Sequence, residues 1–153
     1  MYTLKVQSQE ESTALAARLG QLLEAGDVLI LNGALAAGKT YFVKALTEAL
    51  GSTDYISSPT YTIANFYNLP AGSILHMDAY RLETIEEFRD LGLDEYFPDV
   101  ITLIEWGEKV ADDFEEYLVI DIDFVEQEKD HRSYRFSAVG ERGEEILDQL
   151  KAN

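Results

Sequence analysis

Residues 33–40 have the spacing of a phosphate-binding loop. They read Gly-Ala-Leu-Ala-Ala-Gly-Lys-Thr and match the P-loop pattern at every fixed position. Glycines let several backbone N–H groups converge on a polyphosphate, and a helix that begins there presents its positive end to the same anion. Lys39 can then reach the β- and γ-phosphates, and the Thr40 hydroxyl can ligate Mg²⁺. The sequence therefore predicts a nucleotide site at this loop.

Two acidic residues, Asp78 and Glu105, are candidates for the carboxylate that such a site needs for its metal ion. Asp78 follows the apolar run 74–77, and Glu105 follows the apolar run 100–104. Both runs read as strands, and the ends of parallel strands are where such a carboxylate lies. The spacing leaves open which of the two binds the metal and which orients the attacking water.

Other residues allow weaker predictions. His76 lies inside an apolar run and is interpreted as a hydrogen-bonded core residue rather than a catalyst. Residues 58–62 (Ser-Pro-Thr-Tyr-Thr) are either a loop that senses the γ-phosphate or an ordinary connection. The absence of an Asn-Lys-x-Asp motif favours adenine over guanine, and the absence of an Arg-rich lid disfavours a small-molecule kinase.

The elements that must position these residues alternate between strands and helices. A strand at 27–31, the loop, and a helix ending at Gly51 form one unit, and Ser12 is predicted to cap an earlier helix. The remaining predictions are strands near 3–7, 60–68, 74–77 and 100–104, helices at 83–91 and 142–150, and a late strand pair at 117–125 and 133–139. We expect an α/β fold: one P-loop NTPase-like domain over residues 1–153, with a mixed, mostly parallel central sheet flanked by helices and late antiparallel strands.

Composition narrows the function classes. The 153 residues carry a net charge of −17, of which residues 83–153 contribute −15, so a groove for duplex nucleic acid is not expected. The sequence contains no cysteine and two histidines, which excludes metal sites built from cysteine. No apolar run approaches the length of a membrane span, and we expect a soluble cytoplasmic protein.

Taken together, the motifs resemble those of the bacterial TsaE (YjeE) ATPases. The resemblance runs from about residue 13 to residue 140. It is carried by the loop and by four further blocks in the order and spacing of that family: residues 58–62, 76–82 (His-Met-Asp-Ala-Tyr-Arg-Leu), 91–97 (Leu-Gly-Leu-Asp-Glu-Tyr-Phe) and 103–106 (Leu-Ile-Glu-Trp).

The resemblance implies a subunit of the machinery that forms N6-threonylcarbamoyladenosine at position 37 of certain tRNAs. Such a subunit acts with TsaD and TsaB, uses ATP and Mg²⁺, and meets tRNA only through the complex. Lys39 would bind phosphate, Thr40 and Glu105 would hold Mg²⁺, and Asp78 would lie at the nucleotide. The implied nucleotide contacts are Thr13, Gly33, Ala36, Ala37, Gly38, Lys39, Thr40, Tyr41, Trp106 and Arg132.

The loop departs from the family's usual pattern at three positions. Ala34 replaces an acidic residue, Ala36 replaces the middle glycine, and Tyr41 replaces a second threonine. A Cβ at Ala36 strains the loop if that residue needs a positive φ. These departures keep one alternative open, a nucleotide-dependent binding module with negligible turnover. A small-molecule kinase is a further, less favoured alternative.

Overall fold

A seven-stranded sheet runs through the computed structural model, which describes residues 1–34, 36–60 and 63–152. In chain order the strands are β1 (Tyr2–Val6), β2 (Val28–Asn32), β3 (Ala64–Leu69), β4 (Gly72–Asp78), β5 (Ile101–Glu105), β6 (Tyr117–Val125) and β7 (Glu128–Val139). Their spatial order is β1-β7-β6-β2-β5-β4-β3. Strands β6, β2, β5 and β4 are parallel, and β1, β7 and β3 pair antiparallel at the two sides. The predicted mixed α/β fold with late antiparallel strands is confirmed.

The helices flank this sheet. They are α1 (Gln9–Leu22), α2 (Lys39–Ala49), α3 (Ile85–Asp90) and α4 (Gly140–Ala152), and short 3₁₀ turns cover Asp94–Asp99, Gly107–Lys109 and Ala111–Asp113. Within the described residues, no helix combines the length and apolar character needed to cross a bilayer.

The central strands are the most apolar because both of their faces are covered. All five residues of β2 and all five of β5 are buried. One core lies on the face that α1, α2 and α4 cover, and a second core on the opposite face includes Phe88 of α3. Strands covered on both faces read as continuous apolar runs, which is why residues 27–31 and 100–104 were recognisable as strands.

The prediction that Ser12 caps α1 is wrong. The helix begins four residues earlier, where the Ser8 hydroxyl accepts the backbone N–H of Glu11 at 3.2 Å. The Glu11 carboxylate reaches back to the N–H of Gln7 at 2.6 Å, so this end closely resembles a capping box. Ser12 instead faces the core, where its oxygen accepts a hydrogen bond from the Tyr134 hydroxyl at 2.9 Å.

The topology brings the predicted site residues to one edge of the sheet. Asp78 and Glu105 end the neighbouring parallel strands β4 and β5 and are paired in register. Strand β2 lies on the other side of β5, with Leu31 opposite Glu105, and the loop follows directly. In open α/β sheets, ligands bind at this carboxyl edge.

Candidate nucleotide site

The loop between β2 and α2 has the backbone of an anion site. Gly38 precedes the first helical residue with φ 112° and has no side chain with which to cap the helix. Gly38, Lys39 and Thr40 line the adjoining cavity, so the first N–H groups of the helix lie beside it. Gly33 has φ 150°, and a Cβ there would lie 2.5 Å from the carbonyl oxygen of Ile122. Only glycine fits at that position, because the adjacent strand backbone leaves no room for a side chain.

Lys39 lies along the inside of the loop. Its Nζ donates to the carbonyl oxygens of Gly33 at 2.6 Å and Ala34 at 3.0 Å. The same ammonium lies 4.3 Å from the centre of the Trp106 ring, within the range of a cation–π contact. The side chain is therefore held at the loop by groups that surround its charge, and it is 5% exposed.

The charge balance of the cavity centres on this lysine. Burial lowers the pKa of Lys39 below its ordinary value, and the carboxylates of Glu105 and Asp78 oppose that shift. A bound polyphosphate adds negative charge beside the ammonium, which favours its protonated form.

Glu105, the last residue of β5, connects the first turn of α2 to the sheet. The Thr40 hydroxyl lies 2.9 Å from its Oε2 and 3.1 Å from its Oε1. His76 Nε2 lies 2.6 Å from the same Oε2. The carboxylate is nearly inaccessible, with 3% of the residue exposed. A hydroxyl and a carboxylate in contact are oxygen ligands of the type that Mg²⁺ takes in proteins, so this pair fits a metal ion.

Asp78 is engaged differently. Its Oδ2 accepts the Thr60 hydroxyl at 3.0 Å, and its Oδ1 accepts the backbone N–H of Tyr80 at 2.8 Å. Thr60 also lies 2.6 Å from the Ser58 hydroxyl. Asp78 thus contacts the segment 58–60, whereas Glu105 contacts Thr40, and this difference favours Glu105 as the metal ligand. Tyr61 and Thr62 lie outside the described residues.

The remaining predicted residues surround the same loop. The Thr13 hydroxyl lies 2.7 Å from the Tyr41 hydroxyl, which links α1 to the first turn of α2. Arg132 Nε donates to the carbonyl oxygen of Ala37 at 2.9 Å. Ala36 has φ 65°, the left-handed conformation in which a Cβ is strained. The structure brings all the predicted site residues to the loop or its immediate neighbours.

Described residues of the loop line two cavities. One of about 320 Å³ is lined by Lys39, Thr40, Asp78, Glu105 and Trp106, among others. The second, of about 180 Å³, shares Ala36, Gly38 and Tyr41 with the first and extends to Ser12, Asp130 and Arg132. A larger cavity of about 890 Å³ lies along Tyr80–Ile85 and includes no described residue of the loop, so the predicted nucleotide site corresponds to the smaller cavities.

Sequence reasoning missed Tyr67 as a neighbour of the site and placed His76 only in the core. His76 is buried and hydrogen-bonded as expected, but its partner is the carboxylate of Glu105. One signal was available: His76 precedes Asp78 by two residues, and side chains two apart in a strand lie on the same face.

The comparisons with known proteins agree on a family. The family model for "Threonylcarbamoyl adenosine biosynthesis protein TsaE" matches residues 6–134. The chain belongs to the TsaE family. The "tRNA threonylcarbamoyladenosine biosynthesis protein TsaE" of Bacillus subtilis is 41% identical over 92% of this chain and 88% of its own length.

Other TsaE proteins and a solved structure agree with this assignment. The TsaE protein of Treponema pallidum is 43% identical over 73% of this chain and 83% of its own length. The crystal structure of Bacillus subtilis YdiB superimposes with a TM-score of 0.82 and 34% sequence identity. The alignment covers 99% of this chain and 94% of the YdiB chain. The resemblance to the TsaE family and the predicted fold class are therefore both confirmed.

Proposed function

We propose that this protein binds ATP together with Mg²⁺ and hydrolyses it. The observation that carries the proposal is the contact of 2.9 Å between the Thr40 hydroxyl, in the first turn of α2, and the buried carboxylate of Glu105. Lys39 lies beside them at the loop. In P-loop enzymes the helix N-terminus and the lysine bind phosphates, while a hydroxyl and a carboxylate hold the metal ion.

Thr40 and Glu105 are the residues that would hold Mg²⁺. This ion prefers six oxygen ligands and is usually bound by one or two protein carboxylates together with phosphates and water. When bound, it supplies positive charge at the β- and γ-phosphate oxygens. The second carboxylate, Asp78, is then available to accept a hydrogen bond from the attacking water molecule.

Hydrolysis requires a water molecule in line with the bond that breaks. Lys39 and the N–H groups at the start of α2 stabilise the charge that develops on the phosphate oxygens. Asp78 orients the water in this proposal. Thr60 and Tyr80 each donate one bond to Asp78. Because a carboxylate offers about four acceptor positions, Asp78 can accept a bond from the water as well.

The names of the relatives connect the proposed ATPase activity with a tRNA modification. These relatives are named as tRNA threonylcarbamoyladenosine biosynthesis proteins. We propose that this chain supports the formation of that nucleoside at position 37 of tRNA, with TsaD and TsaB as partners. ATP hydrolysis by this chain supports the turnover of the complex, and this chain meets tRNA only through the complex. A cytoplasmic location follows from such a role.

Replacement of Lys39 tests the proposal. We expect Lys39→Ala to weaken ATP binding by about 100-fold, because a charge-assisted contact to phosphate is lost. Isothermal titration calorimetry with ATP and Mg²⁺ measures the affinity. Lys44→Ala is the matched control, since Lys44 is an exposed residue of the same helix. Equal affinity of Lys39→Ala and the wild type would refute the site.

Ala36 supports a second candidate function, a nucleotide-dependent binding module with negligible turnover. Its φ of 65° places a Cβ in a strained part of the loop. Single-turnover measurement of phosphate release, with and without TsaD and TsaB, separates the two candidates. Release in either condition supports hydrolysis, and nucleotide binding without any release supports the module.

A further inference from the structure

A buried chain of hydrogen bonds extends from Glu105 away from the cavity. His76 Nε2 lies 2.6 Å from Glu105 Oε2, and its Nδ1 lies 2.9 Å from the Tyr67 hydroxyl. That hydroxyl also lies 3.1 Å from the carbonyl oxygen of Ser57. His76 is 0% exposed and Tyr67 is 3% exposed, so water cannot replace either partner.

The chemistry of the groups fixes the direction of the bond to Glu105. A carboxylate only accepts, so His76 Nε2 carries the hydrogen that points to Glu105. On the other side of the ring, Nδ1 contacts the Tyr67 hydroxyl, which itself donates to the carbonyl oxygen of Ser57. Tyr67 therefore orients the imidazole, and the imidazole orients the carboxylate.

The chain of bonds also reaches the segment that contacts the other carboxylate. Tyr67 contacts Ser57, and three residues later Thr60 donates to Asp78. Both carboxylates at the carboxyl edge of the sheet are thus connected to residues 57–60, Glu105 through two side chains and Asp78 directly. His76 thus directs one of its ring nitrogens to a carboxylate at this edge of the sheet rather than to a backbone carbonyl of the core.

We propose that His76 is a positioning residue for nucleotide hydrolysis, held in place by Tyr67. It keeps Glu105 in the orientation in which the carboxylate meets the Thr40 hydroxyl and a metal ion. The inference rests on the proposed ATPase function. Partners that orient a metal-binding carboxylate change metal affinity or activity by about 10–100-fold when they are removed.

Two replacements of His76 separate positioning from packing. The amide of glutamine reaches the place of Nε2 and can donate to Glu105, whereas the shorter amide of asparagine reaches only the place of Nδ1 and Tyr67. We expect His76→Asn to raise the Mg²⁺ concentration for half-maximal ATP binding by about 10-fold, and His76→Gln to restore most of the loss. Equilibrium ATP binding across a Mg²⁺ series measures this, and ATP binding in EDTA should not change.

Thr102→Val controls for a general disturbance of the sheet. Thr102 is buried on β5, and its hydroxyl has no hydrogen-bond partner among the described residues. This variant should keep the wild-type Mg²⁺ dependence. If His76→Asn does not fold, Tyr67→Phe keeps the ring and removes the hydroxyl that contacts His76 and Ser57, and the Mg²⁺ requirement should rise about threefold.

Three results would overturn the inference. In the first, the folded His76 variant, or Tyr67→Phe in its place, has the wild-type Mg²⁺ dependence. In the second, His76→Asn and His76→Gln weaken ATP binding equally with and without Mg²⁺, in proportion to their loss of thermal stability. Either would refute positioning and leave the proposed function standing. Wild-type protein without Mg²⁺-dependent ATP binding would refute the proposed function as well.

Discussion

Ala36 is the residue of the loop whose backbone conformation favours glycine although its side chain is a methyl group. Its φ of 65° costs an L-residue about 1–2 kcal/mol, whereas glycine adopts this conformation without strain. The resemblance to the TsaE family anticipated this strain, because the family's usual loop has glycine there. The strain lies where the loop lines both cavities, so it bears on nucleotide binding as well as on folding.

We expect Ala36→Gly to raise the free energy of unfolding by up to about 1 kcal/mol. The relief of strain exceeds the extra chain entropy that glycine loses, which is about 0.5–1 kcal/mol. Ala37→Gly is the matched control, because Ala37 does not have a positive φ and is 1% exposed. The loss of its buried methyl group should lower the free energy of unfolding by about 1 kcal/mol. Urea unfolding measures both, and changes of the same sign would contradict the argument.

At the scale of elements, local patterns predicted the strand, loop and helix of the site but not the contacts between distant elements. The apolar run 27–31 and the loop motif depend on residues close in sequence. By contrast, Ser12 does not cap the helix as predicted but forms a hydrogen bond with Tyr134 of β7, 122 positions away in the sequence. Glu105 forms a hydrogen bond with His76, 29 positions away. Such pairings follow from strand order, which no local pattern contains. The division into one domain over 1–153 stays a prediction.

Arg142 shows how one such contact stabilises the fold. From α4 its guanidinium donates two bonds of 2.8 Å to the buried Asp27, just before β2, and one of 2.9 Å to the carbonyl oxygen of Leu22. Asp27 raises the pKa of Arg142 above its ordinary value. Removal of the arginine would leave a buried carboxylate without its counter-ion, which is strongly destabilising.

We therefore expect Arg142→Ala to lower the free energy of unfolding by about 3 kcal/mol, measured by urea denaturation. Arg89→Ala is the control, because Arg89 pairs with Asp113 in the same two-bond manner but its side chain is 59% exposed. That variant should be nearly as stable as the wild type, since exposed ion pairs contribute little. Equal losses in the two variants would show that burial of the pair is not what matters.

At the scale of the whole molecule, the acidic charge is divided unevenly. Residues 83–153 carry a net charge of −15 out of −17 and form α3, β5, β6, β7 and α4. The loop and Lys39 belong to the nearly neutral first part. A nucleotide bound at the loop would thus lie mainly against the less repulsive part, and the acidic part suits a basic protein surface better than RNA. If the partners bind the tRNA, the acidic net charge of this chain agrees with its proposed role.

Charge neutralisation in the acidic part tests this interpretation. We expect the double variant Glu115→Gln, Glu126→Gln to bind a TsaD–TsaB complex several-fold more weakly at low salt and with a smaller salt dependence, because charges at an interface attract a basic partner over a distance that salt shortens. Glu10→Gln, Glu48→Gln is the matched control, since these acids are also exposed but belong to the first part. Titration calorimetry at two salt concentrations measures both. Equal binding by the two double variants would mean that the acidic excess only keeps the protein in solution.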